Sequence, residues 1–273
     1  CAGALDLRSA VQVIYHRANA MKGTLGGGRM MVVGASAEEL QPMLGPSLEI
    51  SVVNSHVSCV VSGEAGAVAA LEQRLGEAGR FTFLMPAPYA FHSWQMEPCL
   101  ADIQASLADI EPDAAKIPWI SSSAANLQGE CADAAYWVRN ARGVVRFDRA
   151  IERLLEDGAR LFVELGPHAV LAQSIQQLAV RAGKAARVFS ALQREGDGST
   201  ELAAILAGLY ENGVAPDWKA YQGDAGFVEL PTYPWQREAY WFQATQGVPA
   251  RAQALHARVQ VFDAEGRLCA TAE

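Results

Sequence analysis

The sequence predicts an α/β protein in which a β-α-β-β-α-β unit is inserted into a larger core. Hydrophobic residues make up 51% of the 273 residues and charged residues 19%, which is enough apolar surface to build a core. After Tyr89, short β-branched runs alternate with amphipathic stretches, a pattern typical of a parallel sheet covered on both faces. In residues 29–89, by contrast, two β-branched runs follow each other with only polar residues between them.

The first predicted element is a helix from residue 6 to about residue 22. Its apolar residues recur at intervals of three and four, which gives one apolar stripe: Leu7, Val11, Ile14, Ala18 and Met21. Three consecutive glycines at 26–28 predict a turn after this helix.

The inserted unit follows as a series of short elements. Ser36 and Glu39 form the capping-box pattern, which opens a short helix through Leu44. Strands are expected at 30–34, 48–54, 59–62 and 81–85, and a second helix at 65–78 that Gly79 ends. This β-α-β-β-α-β order is that of ferredoxin-like split βαβ domains, so we assign residues 29–89 to such a subdomain.

Helices and strands alternate in the rest of the chain. Helices are expected at 96–110, 135–157, 169–182 and 200–210, the second continuous or broken near Gly143, and strands at 117–120, 160–165 and 187–191. Residues 214–242 are rich in Pro, Trp and Tyr and resemble a segment that wraps over a surface. Two strand-like runs, 255–262 and 268–271, predict a terminal hairpin with its turn at 263–266.

Charge and cysteine content argue against several function classes. Lys plus Arg total 22 and Asp plus Glu total 30, so with a net charge of −8 we expect neither nucleic acid nor a membrane surface as partner. No apolar run approaches the length of a bilayer span. The five cysteines are scattered without a Cys-x-x-Cys pair, so we expect no metal site and a reduced, cytoplasmic protein.

His92 is the first candidate for chemistry. It lies in Tyr89-Ala90-Phe91-His92-Ser93, where a strand-like run meets a helix N-terminus, and open α/β sheets place their sites at such junctions. A helix N-terminus disfavours the protonated imidazole, so a histidine there is a better base. A helix-capping or core histidine is the alternative, and this residue alone favours the alternative.

Arg17 is the second candidate, on the flank of the first helix beside Ala10, Val13 and Ala20. If its guanidinium is buried there, it needs a planar anion, and a carboxylate matches it through two parallel hydrogen bonds. A structural ion pair is the alternative and is favoured when the sequence is taken alone.

Two further patterns have simple structural explanations. His168 follows Gly166 and Pro167 at a strand end, so we expect it in a turn on the rim of the sheet. Arginines at intervals of three and four would form a basic stripe if their helix were continuous: Arg139, Arg142, Arg146, Arg149 and Arg153. A solvated face is the simple interpretation, and contact with an acidic carrier protein or a CoA phosphate is the alternative.

Taken together, the motifs resemble the acyltransferase domain of modular type I polyketide synthases. The similarity covers roughly residues 1–243 and rests on five ordered motifs: Val13-Ile14-Tyr15-His16-Arg17, Asn54 with Val60-Val61-Ser62-Gly63, Tyr89-Ala90-Phe91-His92-Ser93, Tyr136-Trp137-Val138-Arg139-Asn140 and Phe162-Val163-Glu164-Leu165-Gly166-Pro167-His168. Leu230-Pro231-Thr232-Tyr233-Pro234-Trp235-Gln236-Arg237 resembles the linker that follows these domains.

The resemblance implies a division of the chain. Residues 1–28 and 90–212 would form a hydrolase-like parallel-sheet core that is incomplete at its N-terminus, with the ferredoxin-like subdomain inserted at 29–89. Residues 213–243 would be the linker, and residues 244–273 a fragment of a following domain or linker.

The resemblance also implies a serine–histidine dyad and a ping-pong acyl transfer. His92 would deprotonate a serine that takes the acyl group of an acyl-CoA as an ester and passes it to the phosphopantetheine thiol of an acyl carrier protein. No cofactor would be bound in the domain. Arg17 would bind the carboxylate of a malonyl-type unit, with Asn54, Tyr89 and Phe91 as further substrate-binding residues.

One departure from the family concerns the nucleophile. The motif Gly-His-Ser-x-Gly-Glu is absent from the sequence, so we expect its serine just upstream of Cys1 in a longer polypeptide. The fragment alone would then be inactive. The ketosynthase and linker domains of the same polypeptide would be its neighbours.

The specificity motif is mixed. The malonyl form of the family reads His-Ala-Phe-His and the methylmalonyl form Tyr-Ala-Ser-His, whereas residues 89–92 read Tyr-Ala-Phe-His. Phe91 would fill the volume that an α-methyl group needs, so we expect malonyl-CoA in preference to methylmalonyl-CoA. One methyl group gives only about 1–3 kcal/mol of discrimination, which leaves room for modest leakage.

Two alternative functions remain open. A stand-alone malonyl-CoA:carrier-protein transacylase of fatty-acid synthesis is the first, and the linker motif and terminal hairpin argue against it. A non-catalytic acyltransferase-like scaffold is the second, and the presence of His92 and Arg17 argues against it.

Overall fold

A computed structural model describes residues 2–123, 130–223, 226, 228–238, 259–262 and 268–272. The chain divides into two compact units, residues 1–218 and residues 219–273. None of the helices described is long and apolar enough to cross a membrane.

A five-stranded sheet in the first unit has the strand order β4-β1-β3-β2-β5. The strands are β1 (Gly28–Val33), β2 (Leu48–Ser55), β3 (Ser58–Glu64), β4 (Thr82–Leu84) and β5 (Val145–Arg146). β1 pairs antiparallel with β3 and β4, β2 pairs antiparallel with β3, and β5 adds to β2 in parallel. Its first four strands have the ferredoxin-like order, so the predicted β-α-β-β-α-β unit is confirmed.

The inserted unit contains the helices α2 (Ala37–Leu40) and α3 (Ala65–Glu77). The predicted capping box is formed, because Ser36 Oγ accepts the Glu39 N–H at 3.2 Å and the Glu39 carboxylate accepts the Ser36 N–H at 2.9 Å. α2 is shorter than predicted and gives way to a 3₁₀ turn at Gln41–Met43, since Pro42 has no N–H for the helical ladder.

Three further helices pack around a core separate from that of the five-stranded sheet. They are α1 (Leu7–Met21), α4 (Glu97–Ser106) and α5 (Ala134–Arg142). Their shared buried residues include Val13, Met96, Cys99, Ile103 and Leu107. α4 ends four residues before the predicted boundary at 110, but Leu107 remains fully buried, as the periodicity predicts.

The helix predicted at the start of the chain is formed as α1, but most of its apolar stripe is exposed: Leu7 is 81% and Ile14 is 70% exposed, whereas Met21 at the end of the stripe and Val13 beside it are buried. One sequence-based expectation in this region is wrong. Residues 117–120 form no strand. The N–H groups of Lys116 and Ile117 both donate to the Ala2 carbonyl instead of to a neighbouring strand.

The C-terminal part of the first unit alternates as predicted. It contains α6 (Phe147–Glu156), β6 (Leu161–Glu164), α7 (Ala172–Arg181), β7 (Arg187–Ser190) and α8 (Gly198–Glu211). β6 and β7 pair in parallel, and α6 and α7 share a core of Ile151, Leu155, Ile175 and Leu178. The predicted helix 135–157 is two helices, with the break at Gly143 and β5.

After α8, a short helix α9 (Trp218–Gln222) precedes residues 228–238, which form neither helix nor strand. In the second unit, β8 (Val259–Phe262) and β9 (Leu268–Ala272) pair antiparallel as the predicted terminal hairpin. Its predicted turn at 263–266 lies outside the described residues, as do residues 239–258. The proposed boundaries at 213 and 244 remain predictions.

Candidate active site

A cavity of ≈ 570 Å³ lies between α1, the turn at residues 89–92 and α5. Its walls are mostly apolar, and the lining residues are Leu5, Ala10, Val13, Ile14, Arg17, Ala18, Met21, Tyr89, Phe91, His92 and Trp137. Arg17 and His92, which lie far apart in the sequence, are thereby brought together with Tyr89 and Phe91.

His92 has a strained backbone, with φ at 58° in the left-handed region that non-glycine residues rarely adopt. This conformation costs about 1–2 kcal/mol, so the surroundings must hold the turn. The Ser93 hydroxyl donates to the Ala90 carbonyl at 2.6 Å and accepts the Gln95 N–H at 3.3 Å. Ser93 is thus the N-cap of the 3₁₀ turn at Trp94–Met96, which leads into α4.

The imidazole of His92 is held in one tautomer by a backbone carbonyl. Its Nδ1 lies 3.0 Å from the Gly143 carbonyl oxygen, and because a carbonyl only accepts, Nδ1 carries the hydrogen. Nε2 therefore has the free lone pair. Burial lowers the pKa of His92 below its ordinary value of 6.5, the nearby charge of Arg17 lowers it further, and the carbonyl bonds of Gly143 and Asn140 oppose the shift.

Arg17 presents a partly desolvated charge to the same cavity. Burial lowers the pKa of its guanidinium, which lies over the Trp137 ring at 5.8 Å from the centroid. Arg17 makes no ion pair with any residue that the structure describes. The structural ion pair that the sequence alone favoured is thus not formed in the described part of the chain.

Tyr89 and Phe91 form an aromatic wall of the cavity. Their rings stack with centroids 4.8 Å apart and an interplanar angle of 13°. Phe91 also packs against the core shared by α1, α4 and α5, so its position is fixed by the protein as well as by Tyr89.

The other predicted site residues lie elsewhere. Asn54 is in β2 and is not among the residues that line this cavity. His168 lines a separate cavity behind β6, with Gly166 and Pro167, in the turn region expected for it.

The arginines do not form one stripe, because Gly143 separates α5 from α6. Four of them are neutralised by ion pairs: Arg139 with Glu130, Arg142 with Glu49 and Glu97, Arg146 with Asp148, and Arg153 with Asp157. Because these pairs balance most of the positive charge, the structure favours a solvated, ion-paired surface over a basic docking stripe.

The sequence analysis assigned no role to two groups that contact the candidate site residues, the Trp137 ring and the Gly143 carbonyl. The Trp137 ring lies under the Arg17 guanidinium. Trp137 belongs to one of the family motifs, but the sequence does not indicate which arginine its ring contacts. The Gly143 carbonyl orients His92, but a backbone carbonyl has no signature in a sequence. No cluster of metal-ligating side chains occurs among the described residues, and no Ser, Thr or Cys lines the cavity as described.

Comparison with known proteins identifies relatives of this chain. A family model described as the acyl transferase domain matches residues 1–216. Polyketide synthase GfsB of Streptomyces halstedii is 38% identical over 259 residues, which are 93% of this chain and 5% of that protein. Mycoketide-CoA synthase of Mycobacterium tuberculosis is 34% identical over 255 residues, 93% of this chain and 6% of that protein.

A solved structure agrees with these relatives. The acyltransferase domain from module 8 of the salinomycin polyketide synthase superposes with a TM-score of 0.77 at 32% identity, over 80% of this chain and 52% of that one. This chain therefore spans a small part of each relative and about half of the solved chain.

Proposed function

The chain belongs to the acyl transferase domain family, and we propose that it supplies the general base and the carboxylate-binding residue of a polyketide synthase acyltransferase. The observation that carries this proposal is that Arg17 and His92 line one apolar cavity. A base with a free lone pair and an unbalanced cation suit a substrate that carries a carboxylate beside a reactive thioester.

In the proposed reaction, Nε2 of His92 removes the proton of a serine hydroxyl as the oxygen attacks the thioester carbonyl of an acyl-CoA. The C–S bond breaks, CoA leaves as its thiol with the proton from His92, and the acyl group remains as a seryl ester. The phosphopantetheine thiol of an acyl carrier protein then gives its proton to His92 and attacks the ester; the ester C–O bond breaks, the acyl group becomes a thioester of the carrier protein, and His92 passes the proton to the serine oxygen. The serine is not one of the 273 residues in this proposal.

Arg17 is proposed to bind the free carboxylate of the acyl group. A guanidinium presents two parallel N–H donors, which match a carboxylate, and the apolar walls strengthen the attraction because little water screens it. Trp137 supports the guanidinium from one side. The substrate is therefore a malonyl-type thioester in preference to an uncharged acyl thioester.

Phe91 is proposed to set the size of the acyl pocket. It directly precedes the base and is held by its stack with Tyr89, so it borders the space beside the α-carbon. Malonyl-CoA fits that space better than methylmalonyl-CoA. Asn54 stays a proposed substrate-binding residue, although the family resemblance alone supports it.

The partners follow from the same proposal. They are an acyl carrier protein and the ketosynthase and linker domains of a cytoplasmic polyketide synthase, with no cofactor bound in the acyltransferase itself. Sequences similar to this chain that lie within much longer polyketide synthases support this setting.

The experiment tests Arg17 in a polypeptide that carries the serine motif together with this chain. We expect Arg17→Ala to lower malonyl transfer by about 30-fold to several thousand-fold, since an unpaired desolvated carboxylate costs on the order of 2–5 kcal/mol. Acetyl transfer should change little, because acetyl has no carboxylate.

Arg8→Ala is the matched control, because Arg8 lies on the same helix, is exposed and does not line the cavity. Loading of the carrier protein by malonyl-CoA and by acetyl-CoA is measured by intact mass. Equal losses for both thioesters would mean that Arg17 is structural and would refute the proposed substrate class.

A further inference from the structure

The Glu49 carboxylate connects the two backbone segments that hold His92. Its Oε2 accepts the N–H of Trp94 at 3.2 Å, two residues after His92. Its two oxygens also accept Nη1 and Nη2 of Arg142 at 3.0 and 3.1 Å. Arg142 directly precedes Gly143, whose carbonyl accepts the hydrogen of His92. One side chain from β2 thus ties the histidine turn to the end of α5.

Arg142 is held on a second side as well. Its Nε donates to Glu97 at 3.1 Å, and Glu97 is the first residue of α4. The planar guanidinium therefore uses three of its N–H directions on two carboxylates. Such a fork fixes orientation more strongly than a single contact does.

This connection matters because His92 depends on the spacing between the two segments. Its backbone is in the left-handed region, so the turn persists only where its surroundings enforce it. Its Nδ1–H bond exists only while Gly143 stays within hydrogen-bond distance of the turn. If the segments separated, the ring would rotate and its hydrogen would redistribute between the two nitrogens.

We propose that Glu49 and Arg142 form a positioning pair that keeps Nδ1 of His92 protonated on the Gly143 carbonyl and leaves Nε2 free at the cavity. The inference rests on the proposed role of His92 as the base. Neither Glu49 nor Arg142 lines the cavity, so both act through the histidine.

A role in fold stability alone leads to a different expectation. The side chains of Arg142 and Glu49 are 30% and 33% exposed, and partly exposed ion pairs contribute little to stability. The end of α5 is also held without Glu49, because the Gly143 N–H donates to the Arg139 carbonyl at 2.7 Å. Removal of the pair should therefore disturb the histidine more than the fold.

The test reads the tautomer of His92 by ¹⁵N NMR in the full chain with labelled histidine, assigned with His92→Gln. We expect a predominantly Nδ1–H ring in the unmodified chain. Glu49→Ala and Arg142→Gln should shift the ring toward the ordinary mixture, in which Nε2–H is the commoner form. Glu49→Gln should restore the Nδ1–H form in part, since its amide oxygen still accepts the Trp94 N–H.

The control is Arg139→Gln. Arg139 lies on the same helix as Arg142, and its replacement removes the ion pair with Glu130 but none of the contacts of Glu49. It should leave the tautomer unchanged. An unaltered His92 ring in both Glu49→Ala and Arg142→Gln would overturn the proposal. Unfolding of both variants while Arg139→Gln stays folded would also overturn it, because the pair would then be structural.

Kinetics separate this inference from the proposed function. In a polypeptide with the serine motif, Glu49→Ala should lower kcat by about tenfold to a hundredfold, as a small misplacement of a catalytic group does, with little change in KM. If His92→Gln transfers acyl groups at the normal rate, the proposed function fails, whatever the tautomer shows. If His92→Gln loses activity but Glu49→Ala keeps the full kcat, the proposed function stands and the positioning role fails.

Discussion

Helices α1 and α3 have similar apolar spacing but opposite environments. In α3, the apolar residues at intervals of three and four form the buried face, and Val68, Leu71 and Leu75 are at most 2% exposed against the five-stranded sheet. In α1, the predicted stripe is largely exposed, and three of its residues, Ile14, Ala18 and Met21, line the open cavity together with Arg17. Periodicity therefore predicts that a helix forms, but a neighbouring surface decides which of its faces is covered.

The two regions also differ in what their side chains contribute. The sheet with α3 is a closed apolar core, whose residues serve stability. The helices around the cavity keep a partly buried cation and a strained histidine, both of which cost stability. Mutations in the first region should change unfolding, and mutations in the second should change chemistry.

The largest difference between the two regions is expected in the free energy of unfolding when one leucine in each helix is replaced by alanine. Leu71→Ala in α3 should lower the free energy of unfolding by about 2–5 kcal/mol, because it leaves a cavity in a closed core. Leu7→Ala in α1 should change it by less than about 0.5 kcal/mol, since Leu7 is 81% exposed. Urea unfolding of both variants measures the difference.

Similar losses for these two variants would show that the exposed face of α1 is covered in solution. The comparison between the helices would then fail.

The sequence allowed the inserted unit to be predicted almost completely. Its signals are local: the capping box at Ser36 and Glu39 and the β-branched runs that became β2 and β3. The strand expected at 117–120 failed because strand formation needs a partner, and the backbone there bonds Ala2 instead. Local propensity has no information about that partner.

The sequence indicated candidate residues for the site but little of their geometry. His92 and Arg17 stood out by motif and by their apolar neighbours, and both line the cavity. Asn54 was named by resemblance alone and lies outside the cavity lining. The Gly143 carbonyl and the Glu49 contacts depend on residues that are distant in sequence, so no single-sequence pattern indicates them.

A smaller effect is expected for the aromatic wall, where shape should matter more than stability. Phe91→Ser should shift the preference from malonyl-CoA toward methylmalonyl-CoA by about tenfold in relative kcat/KM, because it opens space for one methyl group. The loaded carrier protein is analysed after competition between the two thioesters. Phe81→Ser is the control, since Phe81 is 64% exposed and does not line the cavity, so the ratio should stay unchanged.

An unaltered product ratio in Phe91→Ser, with turnover retained, would place Phe91 outside the acyl pocket. The proposed preference for malonyl-CoA would then lose its main support.

The smallest effect is expected in the pH dependence of activity, which the proposed base His92 should control. Because burial and the charge of Arg17 lower the pKa of His92, its neutral form persists below the ordinary value of 6.5. Activity should therefore rise with pH along an acid limb whose midpoint lies below 6.5, and kcat/KM reports that midpoint for the free enzyme.

Arg17→Gln should raise the pKa of His92, since it removes a positive charge that disfavours the protonated ring. The acid limb then moves to higher pH, but only slightly, because burial is the larger cause and remains. Acetyl-CoA is the substrate of choice for this measurement, as its transfer does not need the carboxylate contact. Arg8→Gln, on the exposed side of α1, should leave the limb in place. If the acid limb of Arg17→Gln stays fixed or moves to lower pH, the charge of Arg17 does not act on His92. The contrast between the helices around the cavity and the sheet with α3 would then lose its electrostatic basis.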